Sequence, residues 1–208
     1  MEKKGIVAIV LALLVVILLG VALIGTWWTR KGEGTATGYS YKEDFGLQEA
    51  HVKKEAAGMK METTTKYSDN PEAATSKVYN NVFYITIVAL VLGIIGLITA
   101  IVAGVGKLSA KIAGIFLILT FIFALVAPIY FAAVLPGAMH ADLPEWNKGF
   151  TGSEDLTYMD MTGSWSWGPG YGWYLAVVAF IVALIGAILA FRAKKPKAAV
   201  AAPTPPAP

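Results

Sequence analysis

Cysteine is missing from all 208 residues, which removes disulfides, thiolate metal centres and cysteine nucleophiles together. Charge is scarce as well: Asp, Glu, Lys and Arg make up 15% of the chain, where an ordinary soluble domain carries roughly 25%. The two histidines, His51 and His140, stand in separate segments, and neither lies beside a nucleophile elbow or in a zinc-ligand spacing. Hydrolase chemistry is therefore left without a catalytic candidate, and the reading is non-enzymatic, with no cofactor implied. The net charge is only +3 and basic residues cluster only near the end of the chain, so no nucleic-acid partner is expected.

What the chain has in place of charge is apolar length. Gly5 to Trp28, Val82 to Gly106, Ile112 to Leu135 and Tyr171 to Phe191 contain no Asp, Glu, Lys, Arg or His, and each reaches the ~20 residues that cross a bilayer as a helix. The expected fold class is all-α membrane: a four-helix transmembrane bundle with a small extracellular antiparallel β-sheet built from the first and second outer loops. Residues 1–28 are read as a short head and first helix, 29–78 as an outer loop with the sheet, and 79–106 as the second helix. An inner turn and third helix take 107–135, a second outer loop 136–170, the fourth helix 171–191, and a disordered tail 192–208. The first run is too long for a cleaved signal and ends in Trp27-Trp28. Its start, "KKGIVAIV", also looks like a prepilin signal, but three further spans do not fit a pilin. Proton and ion carriers keep ionisable groups inside the membrane despite their cost, and these spans offer none.

Short basic loops stay inside. Lys3 and Lys4, Lys107 and Lys111, and Arg192, Lys194, Lys195 and Lys197 therefore place the head, the middle turn and the tail in the cytoplasm of a multi-pass cell-membrane protein. The segment from Pro136 to Gly170 carries Asp142, Glu145, Glu154, Asp155 and Asp160 against Lys148 alone, and belongs outside with the long first loop. Trp and Tyr collect where lipid meets water. Trp165, Trp167, Tyr171, Trp173 and Tyr174 thus read as an outer belt for the fourth helix, and Trp27 and Trp28 as one for the first. Gly168, Pro169 and Gly170 read as a tight turn between belt and helix.

A loop of fifty residues should hold structure of its own. "GMKMETTTKY", 58–67, sets Met59, Met61, Thr63, Thr65 and Tyr67 on one side and Lys60, Glu62, Thr64 and Lys66 on the other, the period of a half-exposed strand. "TATGYSY", 35–41, and "DFGLQEAHVKK", 44–54, are weaker strand candidates, and "EDLTYMDM", 154–161, could join them. Small residues recur at helical spacing in the second span (Ala89, Gly93, Gly96, Ala100, Gly104) and in the fourth (Gly172, Ala176, Ala179, Ala183, Gly186, Ala190). They read as seams for close helix packing, within one bundle or between copies.

The methionines supply one sharper alternative. Apart from Met1 they all fall in the outer loops: Met59, Met61, Met139, Met159 and Met161. Thioethers select cuprous copper, so these five with His140 form a candidate copper(I) set, while flexible apolar packing explains the same residues.

Four spans, both termini inside, a long first outer loop holding a sheet, and a fourth helix reading "GYGWYLAVVAFIVALIGAIL" together resemble the claudin and peripheral myelin protein superfamily. That family carries W…G-L-W…C…C in its first outer loop. Trp28, Gly46 and Leu47 match its beginning, whereas Gln48 replaces the second tryptophan and both cysteines are missing. The resemblance implies that these three residues dock the sheet on the bundle. It also implies lateral self-association, contact or barrier formation, or service as a non-catalytic subunit of a membrane enzyme or transport complex. The expected partners are the lipid bilayer and either further copies of the chain or another membrane protein.

Overall fold

The computed structural model describes residues 3–34, 39–56, 58–158 and 161–193. Thr35 to Gly38 of the first expected strand, Met159, and the expected disordered tail from Lys194 lie outside the described residues. Four helices, α1 (Lys3–Ile24), α2 (Ala74–Gly104), α3 (Ala110–Asp142) and α4 (Tyr171–Arg192), are long and apolar enough to cross a membrane. Six strands accompany them: β1 (Trp28–Gly34), β2 (Tyr39–Phe45), β3 (Glu49–Ala56), β4 (Met59–Lys66), β5 (Gly152–Tyr158) and β6 (Met161–Pro169).

The bundle is packed inside out relative to a soluble one. Its interior is lined by small side chains, Ala12, Ala89, Gly93, Gly96, Ala124, Ala179, Ala183 and Gly186 among them. Val10, Ile17, Ile98 and Ile129 meanwhile stand more than half exposed on its outer surface. Water would penalise such a surface heavily, whereas lipid tails do not, and helix backbones approach closely where side chains are small. These are the features of a membrane-embedded, multi-pass protein. Apart from Gly104, the small-residue seams of α2 and α4 are buried within this one bundle. Neighbours around the ring run α1, α2, α3, α4 and back to α1, with the most extensive contact between α2 and α3. Thr86, Thr99 and Thr120 satisfy their hydroxyls on carbonyls one turn back in their own helices.

The helices differ in reach. The 22 residues of α1 and α4 span about 33 Å, and the 33 of α3 about 50 Å, against a hydrocarbon layer of roughly 30 Å. The sheet-side ends of α2 and α3 therefore extend beyond that thickness, and residues at the base of the sheet pack on them. All strands pair antiparallel in the order β4-β3-β2-β1-β6-β5, so both connecting segments stand on one side and share one sheet through the β1–β6 pair.

Several expectations change accordingly. The fold is a helix-and-sheet mixture, not an all-α bundle with a small appendage, because a six-stranded sheet covers one end. Helix α1 stops at Ile24, four residues before the expected boundary, since Trp28 opens β1. Helix α2 begins at Ala74 instead of residue 79, and α3 runs through Pro136 to Asp142, past the expected end at Leu135. The two ends hold each other: the Asp142 carboxylate accepts from the backbone N–H groups of Ala74 and Thr75, each at 2.8 Å, and from the Thr75 hydroxyl at 2.6 Å.

The stretch 163–170 is not a turn after a belt. It is most of β6, which reaches Pro169, and Gly170 is extended at φ −87° and ψ 175°. Its glycine is required by proximity: a Cβ on Gly170 would collide with the Thr26 carbonyl. Gly170 N–H donates to Trp27 O at 2.9 Å and Gly172 N–H to Thr26 O at 2.7 Å. These two bonds join the end of α1 to the start of α4.

Candidate functional site

Below the sheet lies an aromatic knot. Trp27 is fully buried, donates its indole N–H to Ala22 O at 2.7 Å and meets Phe131 edge to face. Trp28 is equally buried, donates to Phe150 O at 2.9 Å and packs against Phe45 and Trp146. Trp167 is buried and donates to Gly149 O at 3.0 Å. These three tryptophans are thus core residues at the junction of sheet and bundle, not a lipid-facing belt, because they are buried and their N–H groups find protein carbonyls. Trp165 and Trp173 are half-buried, the latter donating to Pro128 O at 3.0 Å. Tyr171 and Tyr174 alone of the set stand mostly exposed at the head of α4.

Gly46 and Leu47 form the connection between β2 and β3. Gly46 N–H donates to Glu49 O, its own carbonyl accepts from the Tyr67 hydroxyl at 3.1 Å, and Leu47 is buried in the same cluster as Trp28, Tyr79, Val82 and Phe131. Tyr67 stacks on Tyr79 at 4.6 Å, and burial raises the Tyr67 hydroxyl well above the ordinary tyrosine range.

Farther from the bundle, the same sheet face carries Arg30. Its guanidinium pairs with Glu43 at 2.6 Å, donates to the Tyr41 hydroxyl at 3.1 Å and lies near the rings of Tyr41, Trp146 and Trp165. The charge is shielded and satisfied on every side, so this cluster locks β1, β2, β6 and the α3–β5 connection together. The opposite face is polar throughout. Thr29, Asp44, His51 and Thr64 stand in one row across β1 to β4, and Lys31, Lys42, Lys53 and Glu62 in the next.

The candidate copper residues that are described do not converge. Met59 and Met61 are on β4 and Met161 is on β6, four strand positions away, or about 19 Å at the usual strand spacing. Met139 is buried in the bundle-top core, while His140 donates from Nδ1 to Trp146 O at 2.9 Å. Among the described residues, no three His, Asp or Glu side chains gather as metal ligands would.

What remains open is the sheet's margin. Strand β4 pairs only with β3, and every one of its residues is exposed. The sequence marked this strand correctly but expected one face to be covered; no layer lies over the margin, so both faces meet solvent. Its outer N–H and C=O groups are left without strand partners among the described residues. At the other end, β5 pairs only with β6. No protein-family model and no curated protein matches this chain.

Proposed function

We propose that this is a non-enzymatic, claudin-like multi-pass membrane protein whose sheet makes protein–protein contacts on the outer side of the cell membrane, first of all with further copies of itself. The exposed margin of β4 carries the reading. An unpaired strand is a template for another strand, and this one is held rigidly at its base by the aromatic knot. Antiparallel pairing of two β4 strands centred on Met61 would set Lys60 against Glu62 twice, an arrangement with opposite charges directly across. Pairing centred on Thr63 would set Lys60 against Lys66 and is disfavoured. The resemblance to claudins supports the same reading through Trp28, Gly46 and Leu47, whose positions tie the sheet to the helices.

The lack of cysteine makes the test clean. Directly opposed residues in an antiparallel pair lie about 4.5–5.5 Å apart, within the span of a disulfide. A Met61→Cys variant oxidised in native membranes should migrate as a covalent dimer, and a Thr64→Cys variant should not. Recovery of monomer alone from every single-cysteine position along β4 would remove self-association through this margin. Capture of a different membrane protein at the same positions would favour service as an accessory subunit.

A further inference from the structure

Between the base of the sheet and the outer end of α2 lies a cleft of about 450 Å³, a size suited to small-molecule groups. Gln48, Glu49 and Lys66 form its sheet wall, and Asn80, Phe83 and Tyr84 its helix wall. Glu49 and Lys66 stand directly opposite each other on β3 and β4. The side chains of Gln48, Lys66 and Asn80 make no hydrogen bond or ion pair among the described residues, so one ammonium and two amides face the cleft unspent. Tyr84 is 64% exposed, with its ring edge to face against Phe83 at 5.7 Å. Immediately beyond it, α2 turns apolar around the buried Thr86, and Val88 and Val91 lie exposed along its outer surface.

This is the order of chemistry found on crossing from headgroups into acyl chains: charge and amides, then aromatic rings, then aliphatic surface. We infer that the cleft holds the headgroup of a zwitterionic phospholipid from the leaflet on the sheet's side. The phosphate sits against Lys66 and the amide N–H groups of Gln48 and Asn80. The ammonium sits against Glu49 and the face of Tyr84, while the acyl chains follow α2 past Val88 and Val91. One cation and one anion in the wall match a headgroup that itself carries one of each. The site rests on different side chains from the proposed self-association: Lys66 closes the base of β4 and lines the cleft with residues of α2, while the proposed strand pairing is centred on Met61.

The test uses the full chain, delipidated in detergent and offered dioleoyl phosphatidylethanolamine, with retained lipid counted by native mass spectrometry. One lipid should stay bound to the wild type. Retention should fall about tenfold in Lys66→Gln, the scale of losing one charge-assisted hydrogen bond. Asn80→Ala, altering the opposite wall, should weaken retention too. Lys31→Gln, the same charge change on exposed β1 away from both the cleft and the β4 margin, should leave it unchanged. Dioleoylglycerol, which lacks the phosphate, should not be retained, and soluble glycerophosphoethanolamine should bind far more weakly than the lipid. Equal retention by wild type and Lys66→Gln, or an equal fall in Lys31→Gln, would overturn the site. Binding of glycerophosphoethanolamine as tight as that of the lipid would overturn its assignment to the membrane.

Discussion

Tyr79 carries a hydroxyl into the junction between sheet and bundle, where none of the described residues completes a hydrogen bond to it, although the Tyr67 hydroxyl lies near enough to interact with it. Its ring is held on three sides, stacked on Tyr67 and Phe45 and meeting Phe131 at an angle. A buried hydroxyl without a partner costs about 1–3 kcal/mol, whereas the ring contacts survive its removal. Tyr79→Phe should therefore raise the thermal unfolding midpoint in detergent, and a lowered midpoint would show that the hydroxyl is bonded. Tyr67 behaves in the opposite way, because its hydroxyl donates to Gly46 O and Tyr67→Phe leaves that carbonyl unpaired, at a cost of about 1 kcal/mol. Burial holds the Tyr67 hydroxyl protonated well above the ordinary tyrosine range, and burial also raises Tyr41, against the opposing hydrogen bond from Arg30. In the unfolded chain both ionise near pH 10. Folding stability should then be intact below that pH and fall as pH rises beyond it, since the unfolded state releases protons that the folded state retains. Unfolding midpoints measured from pH 8 to 11, with tyrosinate absorbance followed in parallel, should show late-titrating tyrosines. The decline should flatten in Tyr67→Phe.

Among the elements, helices were the easiest to find from sequence and their ends the hardest. The spans declare themselves through uninterrupted apolar length, and the buried stripes of α2 and α4 through small residues at steps of three and four. Helix ends depend on partners far away in the chain. Ala73 precedes α2 and contributes no side-chain cap; the cap comes from Asp142, 68 residues from Ala74. No local pattern around residue 74 announces it. Asp142→Ala should therefore lower stability by about 1–2 kcal/mol, the usual cost of deleting a helix cap, with Asp142→Asn intermediate because one carbonyl oxygen remains. The unfolding midpoint checks this, and amide exchange of the first turn of α2 locates the loss. Strand β6 was hidden for a different reason. The alternation of Trp165 and Trp167 with serines fits a strand as well as an interfacial belt, and only the pairing with β1 decides between them. The margin of β4 could be read as a strand, but its place at the end of the sheet depends on strand order, which the sequence does not carry. Strand order likewise scatters the methionines that looked like one set.

For the whole molecule, the pairing of β1 with β6 means that both long connections occupy one side of the bundle, and the short α2–α3 turn with Lys107 and Lys111 the other. We propose from charge that the sheet faces outward, since lysines in a brief loop resist translocation while long segments cross largely regardless of charge. The contact margin and the lipid cleft both take their surroundings from this orientation. Because the chain has no cysteine of its own, single substitutions report it directly. Thr64→Cys lies on the exposed β4, and Leu108→Cys in the α2–α3 turn, where the native side chain is 39% exposed. Intact cells treated with a membrane-impermeant maleimide should label the Thr64→Cys protein and spare the Leu108→Cys protein until the membrane is opened. The reverse pattern would place the sheet in the cytoplasm, where β4 would meet cytoplasmic partners and the cleft would face inner-leaflet lipid.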